Sequence, residues 1–256
     1  MLAVRRFGSG LPLVALHGFT HTGSQFASLA IPGHEIIAPD LPGHGASDAA
    51  SCDAGATIAA VAGIIKGIGD ETPLIGYSQG ARLALSVAAT TDLSPSSLIL
   101  ISGTAGIADR ETRAARHRRD VALARQIASM TVPAFIDEWT TRGLTATTHL
   151  PDSVRLADRA VRLENTSAGL SSAVIGYGQG SLDPVWWRLG TLDMPTLILT
   201  GERDPTYSRI GAEMARQIGP HAEHLVISRA RHNPLTDTPE ATAAIVSGFL
   251  DRHRGA

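Results

Sequence analysis

The stretch LIGYSQGARLAL, residues 74–85, joins a short apolar run to a segment of helical pattern through a serine that stands between two glycines. The glycines of such a G-x-S-x-G motif permit a tight, strained turn that lifts the serine side chain above the end of a strand. The first turn of a following helix leaves backbone N–H groups without partners. The sequence therefore predicts a strand, a sharp turn at Ser78 and a helix.

Short apolar runs recur along the chain, and each is followed by glycine, aspartate, histidine or serine. Runs of this length that are apolar on both faces are typical of central strands in a parallel sheet. The alanine-rich segments between several of them are typical of crossover helices, so the sequence predicts an α/β fold. The runs lie at 13–16, 35–38, 74–77, 98–102, 196–200 and 224–227.

The regular spacing of these runs is interrupted once. Between residues 104 and 189 the sequence has helical pattern and no convincing strand, as in RETRAARHRRDVALARQIASM. A segment of this length is too long for a simple crossover, which favours a helical insertion over one end of the sheet. We therefore expect a single core, residues 1–103 and 190–256, with a helical cap at 104–189.

Composition limits the possible partners. The 22 basic and 24 acidic residues give a net charge near −2, which disfavours nucleic-acid binding and a polybasic membrane surface. Cys52 is the single cysteine, so no disulfide within the chain is possible. The apolar runs are too short for a signal peptide or a membrane span. We expect a cytoplasmic protein with a small-molecule partner, and the sequence does not indicate an oligomeric state.

Two further residues complete a candidate catalytic triad with Ser78. Asp204 and His232 each follow a predicted strand, so all three are expected at the carboxyl ends of strands, where open α/β sheets build their sites. In such a triad the imidazole takes the serine proton, and the carboxylate fixes the imidazole tautomer. Each residue alone is also compatible with a solvated loop, but the coincidence of three placements favours a site.

Two turns supply candidate oxyanion donors: ALHGF at residues 15–19, and the elbow, which is the G-x-S-x-G turn at residues 76–80. The backbone N–H groups of Phe19 and Gln79 are expected to face the same point above Ser78. His17 is interpreted as a residue that stabilises this turn, with a role as base the weaker alternative. His221 and His224 lack a nearby carboxylate or thiol cluster, so we expect no metal site and no cofactor.

Together, the elbow at 76–80, the HGF turn at 17–19, the DLPGHG loop at 40–45 and the order Ser, Asp, His resemble the α/β-hydrolase superfamily over essentially the whole chain. This resemblance implies a mostly parallel, eight-stranded sheet with helices on both faces. It also implies a helical cap inserted where the regular spacing of strands is interrupted.

Arg82 is unexpected in this setting. It follows Ser78 by four residues, so it shares a helix face with the candidate nucleophile in an otherwise apolar segment. Burying an unpaired guanidinium costs free energy on the order of several kcal/mol. The charge therefore requires either an internal ion-pair partner or a cavity in which a ligand can reach it. In a cavity its planar fork suits the carboxylate of a substrate. Both alternatives remain open from the sequence.

Several segments resemble the 2-succinyl-6-hydroxy-2,4-cyclohexadiene-1-carboxylate synthases of menaquinone biosynthesis. The similar segments are the elbow helix, ARHRRDVALARQI, FIDEW, RAVRLENTSAGL, LTGERD and RARHNP. The resemblance implies a triad of Ser78, Asp204 and His232. It also implies carboxylate binding by Arg82, Arg116 and Arg162, and a pocket lined by Tyr77 and Trp139. From the residues alone, arginines such as Arg116 and Arg162 on a highly charged helix are more often solvated, and Trp139 is more often part of the cap core than of a pocket wall.

The resemblance implies a lyase that eliminates pyruvate from 2-succinyl-5-enolpyruvyl-6-hydroxy-3-cyclohexene-1-carboxylate without hydrolysis. Ser78, activated by His232, would remove a ring proton. One alternative is a carboxylesterase or related serine hydrolase that forms an acyl-enzyme, and a second is a ligand-binding protein without turnover. A dehalogenase is disfavoured because Ser78 occupies the position where an aspartate nucleophile would be needed.

Overall fold

The computed structural model describes residues 2–49 and 52–254, and its centre is a seven-stranded sheet of order β1-β3-β2-β4-β5-β6-β7. β1 runs antiparallel to β3, and every other neighbouring pair is parallel. The strands are β1 (Val4–Gly8), β2 (Leu11–Leu16), β3 (His34–Pro39), β4 (Leu74–Tyr77), β5 (Leu98–Ile101), β6 (Thr196–Gly201) and β7 (Ala222–Ile227).

The six apolar runs form β2 to β7, which confirms the predicted α/β class. The expectation of eight strands is wrong for the described residues, which form seven. β1 is the one strand without an apolar run, because its sequence VRRFG alternates between exposed and half-buried positions at the edge of the sheet. It pairs with β3 as a single antiparallel strand, and no further described segment extends this edge.

Side chains alternate between the two faces of the sheet, and both faces are buried. In β4 and β5, Leu74 and Leu98 belong to one hydrophobic cluster, and Ile75 and Ile99 belong to the other. The first cluster packs against α1 (Ala54–Ile68), α2 (Gln79–Thr90) and α7 (Pro205–Ile218), and the second packs mainly against α9 (Pro239–Arg252). Burial on both faces explains why these strands are uniformly apolar.

The segment between β5 and β6 contains four helices and no strand among its described residues: α3 (Arg110–Ala128), α4 (Val132–Trp139), α5 (Asp152–Arg162) and α6 (Ser167–Tyr177). Their apolar side chains form a separate cluster around Ile127, Phe135 and Leu170. A short helix, α8 (Pro234–Asp237), follows β7. Across the described residues, every helix is too short or too polar to cross a membrane.

Candidate active site

Ser78 lies at a sharp turn between β4 and α2, as the motif predicts. Its φ of 50° is a left-handed conformation that is unusual for a residue other than glycine. The turn is tight because a Cβ atom on Gly76 would lie 2.4 Å from the carbonyl oxygen of Gly80, and one on Gly80 would lie 2.0 Å from that of Leu16. Only glycine fits at either position, and the strained backbone presents the serine at the carboxyl end of the sheet.

The three predicted triad residues meet at this end of the sheet. The Ser78 hydroxyl lies 3.1 Å from Nε2 of His232, and Nδ1 of the same imidazole lies 2.7 Å from Oδ2 of Asp204. Asp204 is almost fully buried, and its Oδ1 accepts the backbone N–H of Tyr207 at 3.2 Å. With Nδ1 donating to the carboxylate, Nε2 is left to accept the serine proton.

The HGF turn is held in place by His17. Nε2 of this buried imidazole accepts the backbone N–H of Leu41 at 2.9 Å, and Nδ1 donates to the carbonyl oxygen of Gly18 at 2.9 Å. Burial lowers the pKa of His17 to about 3, so the ring is neutral at neutral pH. These contacts fit the interpretation of His17 as a residue that stabilises the turn.

Two backbone N–H groups beside Ser78 remain available. Among the hydrogen bonds between described residues, neither the N–H of Phe19 nor that of Gln79 has an acceptor. Gln79 is the first residue of α2, where helix geometry leaves such donors free. This arrangement has the composition of an oxyanion hole, with one donor from the elbow and one from the turn after β2.

A cavity of about 380 Å³ opens over the triad, between the sheet end and the inserted helices. Nine of the ten predicted site residues line it, and Asp204 lies behind His232. The nine are Phe19, Tyr77, Ser78, Gln79, Arg82, Arg116, Trp139, Arg162 and His232. The structure therefore brings together residues that are separated by more than 200 positions in the sequence.

Arg82 faces this cavity without an ion-pair partner. The salt bridges between described residues do not include it, and its Nε atom is buried without a hydrogen bond. Every other residue from Gln79 to Ala89 is buried, whereas Arg82 is half-buried. Burial lowers the pKa of the guanidinium. The alternative of an internal ion pair is therefore excluded for the described residues.

Arg116 and Arg162 line the same cavity but already have carboxylate partners. Nε of Arg116 lies 2.7 Å from Oδ1 of Asp120, and Nε of Arg162 lies 2.7 Å from Oδ2 of Asp158. The Arg162 guanidinium also donates to the hydroxyl of Thr20. These pairs account for part of each guanidinium fork and leave other N–H groups for a ligand.

Asp158 joins Arg162 to a buried histidine. Its Oδ1 accepts from Nε2 of His21 at 2.8 Å, and the side chains of His21, Asp158 and Arg162 are each at most 4% exposed. Burial alone would raise the pKa of Asp158, but His21 and Arg162 hold it well below its usual range. Burial and the Arg162 charge lower the pKa of His21.

The aromatic wall of the cavity comes from Trp139 and Phe19. Their rings pack edge to face, with centroids 5.6 Å apart, and Trp139 also contacts Phe135 at 5.6 Å. The 141–145 segment, which has no aromatic residue, forms a short turn at Gly143–Thr145 and lines the cavity with Leu144. Trp139 therefore belongs both to the pocket wall and to the packing of the inserted helices.

The sequence does not predict every polar residue in or near the cavity; His21, Asp158, Gln179 and Tyr207 are examples. Asp158 precedes Arg162 by four residues in a predicted helix, a spacing that signals an ion pair. Tyr207 follows Asp204 by three residues, which places it in the first turn of α7. Gln179, in the GYGQG stretch, accepts from Arg116, and its sequence carried no signal for this contact.

Comparison with known proteins agrees with this geometry. The model of the alpha/beta hydrolase family matches residues 13–245. A 2-succinyl-6-hydroxy-2,4-cyclohexadiene-1-carboxylate synthase of Klebsiella pneumoniae (strain 342) is 30% identical over 253 residues, covering 97% of each chain. The solved structure of MenH from S. aureus superposes with a TM-score of 0.92 at 26% identity, covering 98% of this chain and 99% of that one.

An esterase is also similar to this chain. The malate-bound thermophilic esterase from Thermogutta terrifontis has a TM-score of 0.82 at 25% identity, and the match covers 98% of this chain and 93% of the esterase. The synthase structure is nearer in both measures. This chain is an enzyme of the alpha/beta hydrolase family, and within that family it belongs with the 2-succinyl-6-hydroxy-2,4-cyclohexadiene-1-carboxylate synthases.

Proposed function

We propose that this enzyme eliminates pyruvate from 2-succinyl-5-enolpyruvyl-6-hydroxy-3-cyclohexene-1-carboxylate in menaquinone biosynthesis. The observation that carries the proposal is the unpaired guanidinium of Arg82, which faces the cavity beside Ser78. A half-buried cation without a counter-ion is costly unless a ligand supplies one. The substrate named here bears three carboxylates, and the names of the similar proteins favour it.

In the proposed reaction Ser78 acts as a base. His232 accepts the serine proton at Nε2, and the serine oxygen removes a ring proton next to the succinyl carbonyl. The C–H bond electrons form an enolate and then a new ring double bond, the existing ring double bond moves one position along the ring, and the C–O bond to the enolpyruvyl group breaks. The leaving enolate of pyruvate takes up, at its methylene carbon, the proton that the Ser78–His232 pair received, and becomes pyruvate. The hydrogen bond from Nδ1 to Asp204 stabilises the imidazolium that forms meanwhile. No water is added.

The developing enolate charge needs donors at a fixed place. The N–H groups of Phe19 and Gln79 suit the succinyl carbonyl oxygen, and such donors are often worth about 3 kcal/mol each. Arg82, Arg116 and Arg162 bind substrate carboxylates and hold the ring for proton removal. Tyr77 and Trp139 supply the walls against which the ring packs.

The division of the chain is part of this proposal. Residues 1–103 and 190–256 form the core that carries the triad, and residues 104–189 form the cap that carries Arg116, Trp139 and Arg162. The separate hydrophobic cluster of the inserted helices supports this division. The proposal includes a cytoplasmic location and no requirement for a cofactor.

Ester hydrolysis is a second candidate activity. The complete hydrogen-bonded chain from Ser78 to Asp204 is equally suited to acyl transfer, and the similar structures include an esterase. An ester that carries a carboxylate would satisfy Arg82 in the same way. The two activities differ in products, since hydrolysis consumes water and passes through an acyl-serine, whereas elimination does neither.

A coupled pyruvate-release assay tests the proposal, run on wild type, Ser78→Ala and Arg82→Ala beside a short-chain p-nitrophenyl ester. We expect enzyme-dependent release of pyruvate that is lost in both variants, with little hydrolysis of the ester. Hydrolysis of the ester without pyruvate release would reject elimination in favour of the esterase. Binding of the substrate without either reaction would identify a ligand-binding protein.

A further inference from the structure

Tyr207 is placed where a ligand of this cavity would meet it, although the proposed reaction gives it no task. It lies in the first turn of α7, three residues after Asp204, and it lines the cavity together with Arg82. Its hydroxyl has no partner among the described residues. A phenol in this setting is a hydrogen-bond donor that only a ligand or water could engage.

Two contacts fix the position of this phenol. The backbone N–H of Tyr207 donates to Oδ1 of Asp204 at 3.2 Å, and its ring packs on the imidazole of His232 with centroids 4.5 Å apart. The rings meet edge to face, at an interplanar angle of 62°. Because backbone and ring are both held, the hydroxyl is oriented before a ligand arrives, which reduces the entropy lost on binding.

The phenol is also a neighbour of the unpaired arginine. Its ring packs on His232, whose Nε2 lies 3.1 Å from the Ser78 hydroxyl. Arg82 follows Ser78 by one helical turn, with its backbone N–H donating to the Ser78 carbonyl oxygen at 3.1 Å, and its side chain lines the same cavity. Arg82 and Tyr207 therefore combine a cationic donor and a neutral donor in one part of the cavity. A carboxylate has two oxygens that together accept several hydrogen bonds, so it can engage both side chains at once.

We propose that the Tyr207 hydroxyl and the Arg82 guanidinium form one carboxylate subsite, and that Tyr207 is a specificity-determining residue for anionic ligands. The subsite rests on the proposed function, because it assigns a second donor to one of the substrate carboxylates. It also stands as a property of the cavity without the elimination reaction. Tyr207 favours a carboxylate over a neutral amide because a hydrogen bond to an ionised oxygen is stronger than one to an amide oxygen.

Binding of succinate and of the neutral diamide succinamide tests the subsite without requiring turnover. Affinities are measured by ligand-observed NMR titration of wild type, Tyr207→Phe, Arg82→Met and Tyr177→Phe. Of the three tyrosines of the chain, Tyr177 alone does not line the cavity; its hydroxyl donates to the carbonyl oxygen of Pro42 at 2.6 Å. It therefore controls for the loss of a phenol hydroxyl elsewhere.

We expect wild type to bind succinate more tightly than succinamide. Tyr207→Phe should bind succinate 3- to 10-fold more weakly than wild type does, which corresponds to the loss of about one hydrogen bond. Tyr177→Phe should bind succinate as wild type does. Arg82→Met should also bind succinate more weakly than wild type, and both cavity variants should lose less affinity for succinamide than for succinate, because an amide oxygen is the weaker acceptor. Equal binding of succinate by Tyr207→Phe and wild type, or no preference for succinate in wild type, would overturn the subsite. Preference for succinate in an enzyme that releases no pyruvate would leave the subsite standing and reject the proposed function.

Discussion

Arg82 and Arg162 line one cavity, but their surroundings differ. Arg162 is buried against Asp158, and its guanidinium also donates to Thr20. Arg82 extends from the elbow helix with no carboxylate partner among the described residues. The protein thus neutralises Arg162 within its own structure, whereas Arg82 has no counter-charge among the described residues. Arg162 can therefore stabilise the fold as well as contact a ligand, whereas in the proposed function the charge of Arg82 is matched by a ligand alone.

The largest expected effect concerns the paired arginine. Asp158→Asn removes the carboxylate that Arg162 and His21 share, so an uncompensated cation stays buried. Loss of one partner from a buried ion pair costs about 3–5 kcal/mol, and we expect a fall of this size in the free energy of unfolding. Urea denaturation at pH 7 measures it.

Asp137→Asn is the matched control, because Asp137 pairs with Arg159 on the exposed side of the same helix. Exposed pairs contribute about 0–1 kcal/mol, so this variant should unfold almost as wild type does. If Asp158→Asn and Asp137→Asn lower the free energy of unfolding equally, the buried ion pair stabilises the fold no more than the exposed pair does.

The unpaired arginine should show the opposite pattern. Arg82→Met removes a guanidinium with no internal partner, so we expect an unchanged or higher free energy of unfolding. Loss of a charge-assisted contact to a substrate carboxylate should lower kcat/KM for pyruvate release about 30- to 300-fold. Steady-state kinetics and urea denaturation of the same preparation measure both.

Arg125→Met is the control for this pattern, since Arg125 is exposed on α3 and does not line the cavity. It should retain wild-type kcat/KM. A large loss of stability in Arg82→Met would show that the arginine stabilises the fold in spite of having no ion-pair partner.

Acidification should lower the free energy of unfolding through the buried histidines, one of which, His21, contacts the Asp158 carboxylate that pairs with Arg162. Burial lowers the pKa of His21, and it lowers the pKa of His17 to about 3. In the unfolded chain the pKa of a histidine is about 6.5. Below that pH the unfolded chain binds more protons, so the free energy of unfolding falls with decreasing pH. The fall is up to about 1.4 kcal/mol per pH unit for each histidine. The depressed pKa of Asp158 adds to the loss only below about pH 4.

His21→Gln should make the free energy of unfolding fall less steeply with decreasing pH, because one of the groups that binds a proton on unfolding is gone. Arg82→Met should run parallel to wild type, since Arg82 has no titratable partner in contact. Urea denaturation between pH 4.5 and 7.5 gives the slopes. A slope in His21→Gln that equals the wild-type slope would count against a neutral, buried His21.

The smallest expected effect concerns Arg116, whose setting is intermediate. Its guanidinium contacts Asp120 and the side-chain oxygen of Gln179. Gln179→Glu would place a permanent carboxylate in competition with the substrate, so we expect KM to rise about 3- to 10-fold at unchanged kcat. Gln179→Ala should change KM less than 3-fold. Wild-type KM in Gln179→Glu would show that no ligand carboxylate uses this side of Arg116.

The sequence predicts the features that depend on local chemistry. The apolar runs predict β2 to β7, and Gly76 and Gly80 mark the turn that only glycine can form. Both edge strands are partly exposed, but β7 keeps an apolar run in HLVI, whereas β1, with the sequence VRRFG, has none and is not predicted. The resemblance to a family, and not periodicity, indicated eight strands.

The site was predictable to the extent that its residues follow strands or carry a charge in an apolar segment. Arg82 is a candidate because a cation is conspicuous in an apolar helix, and the structure shows no ion-pair partner for it among the described residues. The contact between His21 and Asp158 spans 137 residues, and no local pattern reports such a pairing. Tyr207 was missed because an aromatic residue early in a helix is more often part of a core.

The intact mass of the enzyme during turnover distinguishes proton removal from nucleophilic attack most directly. In the proposed reaction Ser78 removes a proton and forms no bond to the substrate. Mass spectrometry of samples quenched while pyruvate is accumulating should show the unmodified chain at every time point. A covalent adduct that forms and decays with product release, and that is absent in Ser78→Ala, would contradict the claim and establish nucleophilic catalysis by the same serine.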